Sequence, residues 1–317
     1  MSSWTNTLQY IQMRKKYYAL LGVMVATYIL LVFLTPVNTA VLAKYHITVL
    51  QLRIIDVFLL LPLIAIYYIA FYGFITMKEY VSHIKDEPDG KGFNLLASGL
   101  AVLAIGMVVN SILSTITSVM TVHDLRLVPA GVIVGNYMSV ILGAASFYLI
   151  YKGSVELKQL VRIRPGEGSM QLVSVAFGAL GAGFAYLAVT NPDRSAAATA
   201  TSHGVFYLPN WLILVSVVLP YLAMWYAGLL AARNIGHYRR NIKGVIYRSL
   251  LKNLGLGVST IIVASVLGQM LSLFPRSFQN MSLSWVLAVI AVLLGVIAAG
   301  FVMVAIGAKK LRQLEGV

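Results

Sequence analysis

The sequence predicts an all-α fold, a polytopic membrane helix bundle of about eight transmembrane helices built as two tandem parallel four-helix repeats. Three observations carry that prediction. First, the chain is 59% hydrophobic and only 11% charged, so it has too little polar surface to be covered by water, and lipid must be its main solvent. Second, eight stretches are long and apolar enough to cross a hydrocarbon layer about 30 Å thick, which takes roughly 20 helical residues. Third, nearly the same apolar octet occurs twice, as "LPLIAIYY" from Leu61 and as "LPYLAMWY" from Leu219, 158 positions apart.

In chain order the spans lie near Tyr17 to Thr35, Ile54 to Thr76, Leu95 to Met120, Ala130 to Tyr151, Met170 to Thr190, Trp211 to Ala232, Leu254 to Phe274 and Leu283 to Ala308. None shows the period-two alternation of a membrane barrel strand. Helices satisfy their own backbone hydrogen bonds in lipid, so each stretch is expected to be one. The first span follows Arg14, Lys15 and Lys16 as a signal peptide would. It is longer than a signal core, and it has a counterpart deep in the chain that a cleaved leader would not need.

The formal charge of +14 sorts by loop. With the N-terminus in the cytoplasm, 19 of the 24 basic residues fall on the inner side, leaving only Lys44, Arg53, Arg126, Arg194 and Arg276 outside. That asymmetry predicts a multi-pass protein of the cell membrane with both termini cytoplasmic. It accounts for the charge without a nucleic-acid partner.

The octet is one of several ordered matches. Upstream, the offset of 158 pairs Tyr28 with Tyr186. Downstream an offset of 159 pairs Asn94 with Asn253 and Asn110 with Gln269, and "GSVELKQL" from Gly153 matches "GAKKLRQL" from Gly307 at 154. These matches divide the chain into halves at residues 1–163 and 164–317, joined by "RIRPGEGSM". With four spans each, both halves enter from the same side and are related by an axis along the membrane normal. Pro62 and Pro220 occupy equivalent places inside the second and sixth spans. Each removes a backbone donor and favours a kink, which either opens carbonyls to a ligand or only bends the helix for packing.

Few side chains can carry chemistry. The chain has no cysteine, which excludes thiol catalysis and cysteine-held metal clusters. No span interior holds lysine or histidine, which disfavours a retinal-type Schiff base and intramembrane haem ligation, so no cofactor is implied. Asp56 is the clear ionisable group within a span, and an intramembrane charge is a functional candidate by default. Asn110, Ser114 and Thr117 share one helical stripe, and Asn136, Tyr137 and Gln269 are expected at a similar depth. Together with Asp56 they suggest a polar pocket open to the outside that would bind substrate. The same amides could instead tie helices to one another.

His46, His123 and His203 come from three outer loops and could hold zinc, yet no two have the spacing of a helix-borne ligand pair. Solvated loop histidines are the simpler reading. On the inner side, "YRRNIKGVIYRSLLK" from Tyr238 places Arg239, Arg240, Lys243 and Arg248 beside apolar residues at helical spacing. This segment could lie in the interface against anionic lipid head groups, or serve topology alone. The N-terminal "SWTNTLQYIQMRKK" offers a weaker surface helix, "IKDEPDGKG" reads as a solvated turn, and "GALGAGFA" in the fifth span favours close helix packing.

The leading expectation is a small permease or transporter of an apolar, amphiphilic or lipid-like substrate, because charge is scarce inside the spans. The alternative is a non-catalytic membrane subunit that docks a protein partner. A weaker third is an outward-facing metal-dependent enzyme resting on the loop histidines.

Overall fold

The structure, a computed structural model, describes residues 2–34, 42–43, 46–122, 128–161, 182, 200–201, 204–205, 219–242, 245–272 and 282–314. Seven helices appear among them: α1 (Ser2–Leu34), α2 (Val49–His83), α3 (Gly90–Val122), α4 (Val128–Gln159), α5 (Leu219–Asn241), α6 (Val245–Ser272) and α7 (Leu283–Leu314). All but α5 contain a segment long and apolar enough to cross a membrane. The chain is therefore a helical membrane bundle. The fifth expected span apart from Ala182, the first turns of the sixth and the segment "RIRPGEGSM" lie outside the described residues. A two-residue antiparallel ladder, β1 (Ala200–Thr201) with β2 (Gly204–Val205), stands in the stretch between the fifth and sixth expected spans.

Local sequence explains the helix limits. Thr48 and Gln51 form a reciprocal capping box at the start of α2, in which the Gln51 amide donates to Thr48 Oγ1 at 3.3 Å and the Thr48 amide to Gln51 Oε1 at 2.8 Å. This satisfies donors that a helix N-terminus otherwise leaves open. The helix then continues through Pro62 without interruption. Between α2 and α3 the turn closes through Glu87 N to Ile84 O at 2.9 Å and Gly90 N to Glu87 O at 3.0 Å. A Cβ at Gly90 would stand 2.1 Å from the Ile84 carbonyl oxygen, so only glycine fits there.

Each helix from α2 to α7 packs on its neighbour in the chain, and α7 returns to pack on α2, closing a circuit of six helices. Helix α1 lies against α2 and α3. Large buried rings fill the interior, among them Tyr67, Phe71, Tyr80, Phe93, Phe147 and Phe301. Phe93 of α3 meets Tyr80 of α2 edge-on at 5.4 Å and Tyr238 of α5 at 6.5 Å. Three helices are thereby gathered at one end of the bundle.

Two seams are closer than the rest. Between α3 and α4, a Cβ on Gly99 would lie 2.8 Å from the Ser146 carbonyl oxygen and 3.0 Å from the Ile150 nitrogen, and Ser146 Oγ donates to the Gly99 carbonyl at 2.9 Å. Farther along the same seam, a Cβ on Gly153 would lie 2.7 Å from the Gly92 oxygen and 2.9 Å from the Leu96 nitrogen. Between α6 and α7, a Cβ on Gly257 would lie 2.7 Å from the Gly300 oxygen and 2.9 Å from the Val304 nitrogen, and one on Gly307 3.2 Å from the Leu250 oxygen and 3.3 Å from the Leu254 nitrogen. In lipid, where apolar burial drives helix association only weakly, such backbone approach supplies the packing energy.

Candidate functional site

Helices α2 and α7 part along their outer faces to leave a cavity of about 580 Å³. Its α2 wall includes Phe58, Pro62 and Ile66, and its α7 wall Ala291, Leu294 and Gly295. Pro62 and Phe58 are exposed at its rim, so the cavity opens sideways on the bundle surface. Small residues make the room: a Cβ at Gly295 would meet nothing within 4 Å. At the α4–α5 seam there is no such gap at Gly143, where a Cβ would lie 2.7 Å from Met224 Sδ. Every residue of the cavity wall is apolar, which suits a hydrocarbon chain and excludes a solvated ion.

Of the residues expected to form an outer polar pocket, only Asp56 and Asn110 have described side chains. Asp56, on α2, accepts from Arg53 Nη1 at 3.3 Å across one helical turn. The same guanidinium donates to the Val32 carbonyl at 3.0 Å and to the Phe33 carbonyl at 3.5 Å. Arg53 thus satisfies the open carbonyls at the end of α1, and Asp56 completes its coordination. Asn110 is exposed on α3. Asn136 and Tyr137 belong to α4 and Gln269 to α6, but their side chains lie outside the described part. Pro62 enters the groove wall, whereas Pro220 is half-buried in the first turn described for α5.

The opposite end carries the charges. Arg14 of α1 makes a two-pronged ion pair with the buried Glu79 of α2. Lys91 Nζ meets Glu156 Oε1 at 2.8 Å, tying α3 to α4, and the Tyr238 hydroxyl donates to Asp89 at 3.4 Å. Arg239, Arg240 and Arg248 stand at this end as well, with Arg248 Nε donating to the Ile242 carbonyl at 3.0 Å. Lys243 lies outside the described residues. Buried polar side chains lie nearby: Asn234 donates to Ser154 Oγ at 3.2 Å, and His237 is approached by Asn241. Thr76 Oγ1 is buried with no hydrogen-bond partner among the described residues.

Sequence reasoning did not single out Glu79 and passed over the groove. The available signal for the groove was the Ala291 and Gly295 pair at i,i+4 on one apolar span. Nothing local marks Glu79, because its partner is 65 positions away. Of the three loop histidines only His46 is described, exposed and with a left-handed backbone φ of 51°. No group of three metal-ligating side chains occurs among the described residues. Comparison with protein-family models, curated proteins and solved structures finds no match.

Proposed function

We propose that this protein is a small permease of the cell membrane that moves an apolar, amphiphilic or lipid-like substrate, which enters sideways from the bilayer through the α2–α7 groove. The single observation behind this is the groove itself: about 580 Å³, apolar throughout and open to the side. A substrate approaching from lipid needs no polar path.

The permease is read as two tandem copies of one four-helix unit with both termini cytoplasmic. In support, the seam contacts recur: Gly99 on Ser146 and Ile150 corresponds to Gly257 on Gly300 and Val304. Likewise Gly153 on Gly92 and Leu96 corresponds to Gly307 on Leu250 and Leu254. These pairs keep an offset of 158 through α3 and α6, one less than the asparagine matches suggested, and 154 through α4 and α7. The duplicated octets also share their burial. Tyr67 and Trp225 are 1% and 2% exposed, whereas Tyr68 and Tyr226 are 53% and 44% exposed. The clustering of Arg14, Lys91, Arg239 and Arg240 at one end agrees with a cytoplasmic face there.

The test is reconstitution in phosphatidylcholine vesicles carrying a nitrobenzoxadiazole-labelled lipid, with transbilayer movement followed by dithionite quenching. Gly295→Leu, whose Cβ would meet nothing within 4 Å, is expected to reduce movement at least fivefold, with the unfolding temperature as the check on folding. Movement no faster than in protein-free vesicles would overturn the reading.

A second reading, a non-catalytic membrane subunit, draws on the close glycine seams, which suit a static scaffold presenting a basic face to a protein partner. It is adopted if the labelled lipid does not move and a partner co-purifies.

A further inference from the structure

A second cavity, of about 440 Å³, lies at the charged end between the last turns of α2 and the start of α3. Its wall holds three cations, Lys78, Lys85 and Lys91, with Ser82, Asn94, Val81 and Gly90 completing it. No carboxylate is among the described residues that line it. The acids of the adjoining turn are Asp86, Glu87 and Asp89, of which Asp89 accepts from Tyr238. Glu156 of α4 pairs with Lys91 at 2.8 Å and offsets much of its charge, so the positive field at the cavity comes mainly from Lys78 and Lys85.

We infer that this cavity binds a phosphate group, presented by an anionic lipid at the inner membrane surface. The side chains are arranged for it. Lys78 Nζ donates to Asn94 Oδ1 at 2.6 Å, which fixes the ammonium and turns the Asn94 amide NH₂ away from it as a further donor. Lys85 projects from the exposed turn. Gly90 places the first turn of α3 in the wall, so the positive end of that helix adds to the three lysines. The apolar Val81 and the lysine stems give the cavity a partly apolar lining that a glycerol backbone can share. The volume is that of a head group, not of a whole lipid. The inference is independent of transport and holds equally for a scaffold.

The second half carries basic residues at the equivalent sequence positions. At the offset of 158, Val81, Ser82, Lys85 and Gly90 correspond to Arg239, Arg240, Lys243 and Arg248, the segment singled out above for lipid head groups.

The test uses the full-length protein in phosphatidylcholine nanodiscs with trace spin-labelled phosphatidylglycerol or spin-labelled phosphatidylcholine, comparing the motionally restricted fractions. The wild type is expected to prefer phosphatidylglycerol. Lys85→Gln should lower that preference by up to about fivefold, the pull of one surface lysine on an anionic head group. Lys85→Arg should preserve it, and Lys78→Gln with Lys85→Gln should lower it further. A second arm titrates inorganic phosphate calorimetrically. Phosphate binding that Lys85→Gln abolishes, without any lipid preference, would place a soluble phosphate compound in the same cavity. If neither ligand responds to Lys78 or Lys85 while the variants unfold at the wild-type temperature, the site does not exist. Should the double variant fail to fold, the single change at exposed Lys85 decides.

Discussion

Gly99 of α3 and Ser146 of α4 meet backbone to backbone, with the serine hydroxyl donating to the glycine carbonyl at 2.9 Å and no room for a Cβ between them. Gly257 and Gly300 make the corresponding approach between α6 and α7. Main-chain atoms stand among the obstructions at both glycines, so a rotamer change alone cannot relieve the clash. Gly99→Ala or Gly257→Ala is expected to destabilise by about 1–3 kcal/mol through overpacking. Gly236→Ala, where a Cβ meets nothing within 4 Å, should be neutral or stabilise by up to about 1 kcal/mol through helix propensity. Unfolding in mixed micelles checks both, and equal effects would contradict the seam.

The Arg14–Glu79 pair links α1 to the six-helix circuit. The Glu79 side chain is only 5% exposed, so Arg14→Ala strands a carboxylate. Arg14 itself is 35% exposed, which lowers the penalty below that of a fully buried pair, to about 2 kcal/mol. Replacing both residues with methionine should be less harmful than Arg14→Ala, because no unpaired charge remains. A double-mutant cycle on unfolding free energy measures the difference.

Arg53 holds the last turn of α1 through the Val32 and Phe33 carbonyls. Arg53→Gln is expected to cost about 1 kcal/mol and to speed hydrogen exchange in that last turn. Asp56→Asn should do less, since its contact to Arg53 is long at 3.3 Å. If Asp56→Asn instead abolished lipid movement while Arg53→Gln did not, Asp56 would belong to a substrate site rather than to a cap.

Orientation can be read with single cysteines, because the native chain has none. Lys85 and Ser282 are both exposed, at the α2–α3 turn and just before α7. In intact cells a membrane-impermeant maleimide should label Ser282→Cys and spare Lys85→Cys until the membrane is permeabilised. The reverse pattern would invert the topology.

The apolar spans, their helical nature and the repeated octet were legible in the sequence. Composition and length fix how a chain partitions into lipid, and backbone hydrogen bonding then forces helix. The polar residues were less informative. Asp56 stood out as a lone charge because its partner's second task, capping the carbonyls of α1, depends on how two helices meet. Glu79 was hidden for the same reason.

What the sequence determined, then, was the solvent, the element type and the basic character of certain loops, all properties of local composition. Which helices touch was decided only by the tertiary structure. Leu61 and Leu219, Tyr68 and Tyr226 are apolar or aromatic like the buried residues beside them, yet all four face outward. In lipid the inside and outside of a bundle are chemically alike, so burial cannot be deduced from hydrophobicity and rests on steric fit between particular faces. The groove between α2 and α7 is a matter of that fit: Gly295 and Ala291 leave space only because the neighbouring helix does not fill it.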